Sequence, residues 1–268
     1  MKIKTLISLL LRKSGLIKTV DRARFYLLYL KTHKQRKAFM KSNPSVVLPP
    51  SYFMYETFGL DYEQFYQGSE ETASWLIAHF KKHCSLGGIH LLDWGCGPGR
   101  IIRRMPSLLG RSCHCYGTDY NARYIKWCSE NIPDVTFKTN NLEPPLLFEN
   151  NMFDIIYGIS IFTHLSEKMH YAWMDELFRV LKPGGILLLT MHGEAFTTKL
   201  TEAKRKIFDQ GRIVVLSNTK EGHRTYSAFH PVPFVRGLAG NNRVVAFEEG
   251  GFVNGKPQQD LWMFQKVI

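Results

Sequence analysis

The run Leu91-Leu92-Asp93-Trp94-Gly95-Cys96-Gly97-Pro98-Gly99-Arg100 constrains this chain more than any other stretch. Ile89 to Trp94 is a short apolar run of the kind that forms a buried strand, and three glycines at alternate positions follow it. Glycine tolerates backbone angles closed to other residues and lets main chain approach a ligand, so the segment predicts a strand, a tight turn and a helix from about Gly99. A helix N-terminus offers unpaired N–H groups and partial positive charge to an anion such as a carboxylate. The third glycine comes one residue too early for Gly-x-Gly-x-x-Gly, because the sixth position from Gly95 is Arg100. No Gly-Lys-Ser/Thr ending completes a phosphate loop either.

Asp-x-Gly-x-Gly-x-Gly preceded by a strand resembles motif I of the class I S-adenosylmethionine-dependent methyltransferases, and Gly95-Cys96-Gly97-Pro98-Gly99-Arg100 is close to that family's wording. Cys113 to Thr118 reads as a second strand and ends at Asp119-Tyr120, twenty residues after Gly99. An acid there can accept both ribose hydroxyls of an adenosine, with Tyr120 against the adenine; alone, an Asp after a strand is as well explained as a turn or helix cap.

Ala122 to Asn131 then reads as a helix and Asp134 to Lys138 as a third strand, followed by Asn140-Asn141-Leu142. At that point the family commonly has Asp-Leu or Asn-Leu, whose polar side chain reads the adenine amino group; either Asn can do so with its carbonyl oxygen, and both also suit a turn. Phe153 to Ile159 is the fourth strand, opening on Phe153-Asp154 in the manner of the family's motif IV, and Ile159-Ser160-Ile161-Phe162-Thr163-His164-Leu165 follows. No Asn-Pro-Pro-Tyr stands here, which disfavours planar amino acceptors such as adenine or glutamine amides. Ser166 begins a helix with Met169, Trp173, Leu177 and Val180 at helical spacing, stopped by Lys182-Pro183-Gly184-Gly185. Ile186 to Met191 is the fifth strand, with His192-Gly193-Glu194 at its end.

Five strands alternating with helices predict an open, mostly parallel sheet whose ligands bind at the strands' C-terminal ends. The resemblance implies a Rossmann-like α/β fold of seven strands with helices on both faces and the last strand antiparallel. It also implies cofactor contacts from Asp93, Gly95, Cys96, Gly97, Gly99, Arg100, Asp119, Tyr120, Asn140, Asn141, Leu142, Gly158 and Ile159 to S-adenosyl-L-methionine, which leaves as S-adenosyl-L-homocysteine.

Beyond the fifth strand, Arg212 to Leu216 reads as an extra strand and Gly222 to Pro233 as a loop able to cover a substrate. Arg243 to Glu248 and Leu261 to Val267 read as the final strands, the hairpin with which the family closes its sheet. Gln258-Gln259-Asp260-Leu261, the Phe-Thr-His-Leu wording and Leu48-Pro49-Pro50 resemble a bacterial subgroup associated with polysaccharide and lipopolysaccharide assembly.

Charge sets the N-terminus apart. Residues 1–41 hold twelve Lys and Arg against one acid, Asp21, and so carry nearly all of the net charge of +12. Ile3, Leu6, Ile7, Leu10 and Leu11 form an apolar helical stripe, and a second helix is expected from about Thr19 to Lys41. The run Leu6 to Leu11 is too short to span a bilayer, and no small-residue cleavage site follows it. Three readings stand for this arm: a helical hairpin packed on the core, an interfacial pair resting on anionic lipid, or a nucleic-acid or protein partner surface. Pro44, Pro49 and Pro50 mark an extended linker, which divides the chain into a basic arm (1–51) and a catalytic domain (52–268).

From Tyr52 to Gly68 the chain is rich in aromatics, and a helix follows to about His83. By the resemblance Tyr62, Phe65 and Tyr66 line the methionine end of the cofactor; core packing accounts for them equally. Five cysteines without scaffold density suit a reducing compartment, hence a cytoplasmic location, peripheral at the inner membrane face if the arm binds lipid. Cys113-His114-Cys115 lacks a second pair of ligands, so no metal is expected. The enzyme expected is an O-methyltransferase acting on a sugar or other small hydroxylated acceptor, with His164, His192 or His230 as the base that removes the hydroxyl proton. The alternatives are an RNA or protein methyltransferase that uses its basic arm, and a non-catalytic membrane-associated assembly subunit of the same fold.

Overall fold

The computed structural model describes residues 16–217 and 219–267. They fall into two compact units, one of residues 16–140 and one that contains residues 141–267. The stripe Ile3–Leu11 lies outside the described residues.

In the first unit, helices α1 (Ile17–Lys31) and α2 (His33–Ser42) occupy the region expected to be one helix. The break is at Thr32, whose hydroxyl donates to the carbonyl of Leu28 at 2.8 Å, while Arg36 reaches back to the carbonyl of Tyr29 at 2.6 Å and lies 3.6 Å over the Tyr29 ring. A hydroxyl that competes for main-chain carbonyls and a cation that caps them together end one helix and start the next. After an irregular stretch through the prolines come α3 (Ser51–Thr57) and α4 (Tyr62–Phe80), so most of the aromatic segment is helical. Asp61 caps α4 by accepting the Gln64 amide at 3.0 Å, and Phe65, Ala73, Leu76 and Phe80 are fully buried along one side.

Strands β1 (His90–Trp94), β2 (His114–Asp119) and β3 (Val135–Thr139) alternate with a 3-10 turn (Ile102–Arg104) plus α5 (Met105–Leu109), and with α6 (Ala122–Asn131). β1 pairs parallel with β2, and β2 parallel with β3, so Trp94 stands beside Thr118 and Asp119 beside Thr139 at their C-terminal ends. The helix expected from Gly99 is delayed to Met105 because Gly99 sits at φ +72°, outside helical space.

The second unit runs β4 (Phe153–Gly158), a 3-10 turn (Phe162–His164), α7 (Glu167–Val180), β5 (Leu181–Met191), a 3-10 turn (Glu194–Lys199) and α8 (Glu202–Asp209). It continues through β6 (Val214–Leu216), β7 (Ser227–Phe229), α9 (Val232–Leu238), β8 (Arg243–Glu248), the two-residue strands β9 (Phe252–Val253) and β10 (Lys256–Pro257), and β11 (Asp260–Gln265). β4 and β5 are parallel; β11 is antiparallel to both β5 and β8. The strands order as β3-β2-β1 within the first unit and as β4-β5-β11-β8 within the second.

Two expectations are corrected here. The helix stops before Lys182 as expected, at Val180, but the fifth strand begins at Leu181 rather than Ile186, and Gly184, at φ +78°, donates its amide to the Lys266 carbonyl at 2.9 Å. Nor is Gly222 to Pro233 a free covering loop, since β7 pairs antiparallel with β6 and α9 begins at Val232. Phe229 there packs with Ala195, Phe196, Phe208 and Val214, apolar burial that holds the segment down. Among the described residues no helix is long and apolar enough to cross a membrane.

Candidate functional site

Asp119 organises the glycine turn of the first unit. Its Oδ2 accepts the Gly97 amide at 2.9 Å and its Oδ1 the Asn121 amide at 2.8 Å, while Gly95 and Cys96 both donate to the Thr118 carbonyl at 2.8 Å. Gly95, Gly97 and Gly99 have φ of +76°, +54° and +72°, left-handed angles that glycine takes without the strain a side chain would bring. Space tells the same story at two of them. A Cβ on Gly97 would stand 3.2 Å from Thr57 Cγ2, and one on Gly99 would lie 2.3 Å from Ile132 Cδ1. Asp119 is 7% exposed, and burial raises its carboxyl to about 6 against the two amide bonds that favour the charge. Each oxygen keeps lone-pair capacity for further donors.

Around this turn the pre-motif helices supply a wall. Tyr124 donates to Glu56 Oε2 at 2.7 Å and packs its ring on Phe53, and Tyr120, 42% exposed, has its phenol raised by burial and then by the charges of Asp119 and Glu56. Arg100 turns toward α4, 4.5 Å over the Phe58 ring and 3.4 Å from Thr72 Oγ1. Asp93 is buried beneath the turn, and Asn140 donates its amide to the Asp119 carbonyl at 3.2 Å. Phe65 is fully buried, Tyr62 bonds Ser51 at 2.8 Å, and Tyr66 lies 4.1 Å under Arg104. Glu56 and Thr57 were missed in the sequence; a short helix after Pro50 carries no mark of what it faces.

In the second unit, Asn141 is exposed and Leu142 gives its carbonyl to Trp173 Nε1 at 3.0 Å. Gly158 is buried at the end of β4, Ile159 follows it, and Ser160 adopts φ +66°. A closed polar network holds Ser160. Its amide donates to Thr190 Oγ1 at 2.9 Å, Thr190 donates to Gln259 Oε1 at 2.6 Å, and Gln259 Nε2 donates to Ser160 Oγ at 2.6 Å. Thr163 completes it, 3.1 Å from Ser160 Oγ. A non-glycine residue held at positive φ by surrounding bonds is typical of functional segments.

Four histidines gather beside it. His164 Nδ1 stands 2.9 Å from the Tyr226 carbonyl and His192 Nδ1 3.1 Å from the Ala228 carbonyl. A carbonyl only accepts, so each ring carries its proton on Nδ1 and presents Nε2 as a lone pair. Burial lowers both; His192, which also feels Lys199 and His164, falls to about 3. Its ring stacks on Phe196 at 4.0 Å. His230 is 1% exposed and shares a 2.8 Å contact with His170 Nε2, whose Nδ1 donates to the Ser166 carbonyl at 2.7 Å. His230 is thus held between His170 and the His192 carbonyl, 3.4 Å from its Nδ1, rather than sitting on a substrate-covering loop. A cavity of about 320 Å³ beyond it is lined by Glu194, Asp209, His230 and Asp260.

Residues 91–185 match the family model described as a methyltransferase domain. A ubiquinone/menaquinone biosynthesis C-methyltransferase of Wigglesworthia glossinidia brevipalpis is 30% identical over 125 residues, 44% of this chain and 47% of that protein. A tRNA (carboxymethyluridine(34)-5-O)-methyltransferase of Arabidopsis thaliana is 31% identical over 125 residues, 46% of this chain and 29% of that one. The chain thus spans half or less of the length of these curated relatives. Among solved structures, an S-adenosylmethionine-dependent methyltransferase of Methanosarcina mazei aligns with a TM-score of 0.54 at 20% identity, covering 71% of this chain and 97% of that one. The magnesium protoporphyrin IX methyltransferase of Synechocystis PCC 6803, solved with bound S-adenosylhomocysteine, aligns at 0.53 and 14% identity over 93% of this chain and 100% of that one. The fold is the Rossmann-like one of class I S-adenosylmethionine-dependent methyltransferases.

Proposed function

We propose that this chain, whose residues 91–185 match a methyltransferase domain and whose fold is that of the S-adenosylmethionine-dependent class I enzymes, transfers the methyl group of that cofactor to a hydroxyl of a sugar or other small acceptor. The observation that carries the reading is the Asp119–Gly97 bond: a buried carboxylate at the end of β2 braces a turn in which a Cβ on Gly99 would collide and one on Gly97 would be crowded. Asp119 is assigned the ribose hydroxyls, Asn140 or Asn141 the adenine edge, and Gly95, Gly97 and Gly99 the close main-chain approach. Asp93, Cys96 and Arg100 support that turn, Tyr120 lies against the adenine, and Leu142, Gly158 and Ile159 complete the assignment by motif order.

When bound, S-adenosylmethionine supplies a methyl already activated by its sulfonium. The chain's own task is to orient an acceptor, exclude water and accept one proton. His164 is assigned that proton at Nε2, its tautomer held by the Tyr226 carbonyl. His192, lowered to about 3, accepts a hydrogen bond but is a weak base, and His230 is spent on His170. The missing Asn-Pro-Pro-Tyr and the Phe162-Thr163-His164-Leu165 wording support an oxygen acceptor, including the polysaccharide class. One relative is named for a tRNA substrate, so RNA belongs in the acceptor screen.

Calorimetric titration with S-adenosylhomocysteine tests the reading. Binding near one equivalent by the wild type and none by Gly97→Arg supports it, and transfer of labelled methyl to a glycan or phenol then names the acceptor. A folded wild type that binds nothing overturns it.

A further inference from the structure

We propose that the outer face of α1 is a docking surface for an anionic lipid membrane. Leu16, Val20, Leu27 and Leu30 are 52%, 43%, 69% and 72% exposed, and their spacing of four, seven and three places them along one side of the helix. Tyr26, 54% exposed, stands at the edge of this stripe. The opposite side is already occupied: Phe25 is buried against Tyr55 and Leu60. The outer stripe is therefore apolar surface beyond what holds the helix in place, and single exposed leucines are common where a line of them is not.

The charges say what covers it. Arg24 and Lys31 on α1 and Lys34, Lys37 and Lys41 on α2 are exposed. The one acid of residues 1–41, Asp21, is turned inward, where it accepts the Tyr55 hydroxyl at 2.9 Å. An apolar stripe flanked on its own helix by Arg24 and Lys31, with further exposed cations on α2 and no exposed acid in the described part of the two helices, matches a lipid headgroup boundary: acyl chains take the leucines and anionic headgroups the Lys and Arg. A second copy of this chain would bring a like-charged surface to the same face, and RNA would leave the apolar stripe unfilled. This surface stands on α1 and α2 alone, goes beyond methyl transfer and does not depend on it.

The test is flotation of the full chain with vesicles of phosphatidylcholine alone and of phosphatidylcholine with phosphatidylglycerol at about seven to three. The wild type is expected to float with the mixed vesicles and not the neutral ones. Leu27→Asp with Leu30→Asp should cut that partitioning about tenfold or more, because two anchors are lost and two anions added, with S-adenosylhomocysteine binding unchanged. A Leu27→Trp variant adds a direct readout: brominated lipid should quench its emission beyond that of the wild type. No flotation with mixed vesicles, undiminished flotation of the double variant, quenching of Leu27→Trp no greater than that of the wild type, or a wild-type dimer that the double variant abolishes would each overturn the proposal, as would salt-sensitive RNA binding in place of vesicle binding.

Discussion

Gln259 donates from Nε2 to Ser160 Oγ at 2.6 Å, and the two residues lie 99 positions apart in the chain. This bond ties the start of β11 to the residue that leaves β4 at positive φ, and Thr190 closes the ring between them. Each member of the ring both gives and receives a bond within it, so removing one strands two others.

Gln259→Leu is accordingly expected to destabilise the chain by about 1–3 kcal/mol through the unpaired Thr190 and Ser160 groups. Denaturant unfolding measures this, and a change within error would show the ring to be dispensable.

Gly99→Ala should destabilise by about 1–3 kcal/mol, from strain at φ +72° together with the collision at Ile132 Cδ1. Gly87→Ala is the control, since nothing lies within 4 Å of its added Cβ and no left-handed φ is required. Equal melting temperatures for the two variants would contradict the steric account.

Asp119→Ala should weaken S-adenosylhomocysteine binding by about 1.5–3 kcal/mol, the scale of charged hydrogen bonds lost. A pH dependence accompanies it. The folded carboxyl is raised to about 6 from 3.8, so its contribution to folding is fully present below 3.8 and is lost as pH rises through 6. Ligand hydroxyls want the ionised form, so affinity should fall as pH drops through about 6 in the wild type and stay flat in Asp119→Asn. Calorimetry across that range decides it; a flat wild-type profile removes Asp119 from the ligand.

His164 and His192 should appear by nitrogen NMR at pH 7 as neutral rings protonated on Nδ1, the form their carbonyl partners demand. Burial lowers both, as it does His230 and His170, the last to about 4. Below about 6.5 the unfolded chain takes up protons that the folded chain refuses, so stability is lost as pH falls; His170 alone accounts for about 1–2 kcal/mol at pH 5. Asp119 and Asp260, both raised to about 6, oppose this, but four groups outweigh two. Calorimetric melting between pH 7 and 5 should show a falling midpoint.

Cys96, Cys113, Cys115 and Cys128 are buried, with the Cys115 thiol pushed up to about 12 and Cys96 also raised, whereas Cys84 is partly exposed. A thiol reagent should therefore label one cysteine quickly in the native chain and all five in denaturant. Rapid reaction of a second native thiol would contradict this burial.

Much of the architecture was legible before any coordinates. The helix Ala122–Asn131 has its expected bounds, and β1, β2 and β3 fall within one residue of theirs, because apolar runs and turn residues act locally on the backbone. Motif I was legible for the same reason: three positive φ values in five residues favour glycine at each. Gly99 also shows the limit: the residue that permits the tight turn does not begin the helix, which starts at Met105.

The sequence by itself determined the alternation of strands and helices, the glycine turn and the acid at the end of β2, since each rests on residue type and short spacing. Only tertiary structure decided that His230 bonds His170, that Gln259 closes on Ser160, and that the leucines of α1 face outward while Phe25 faces in. Those outcomes depend on which distant segment arrives at a surface. A helix with apolar residues on both sides does not say which side the rest of the chain will cover, and a lone His or Gln carries no periodicity to announce its partner.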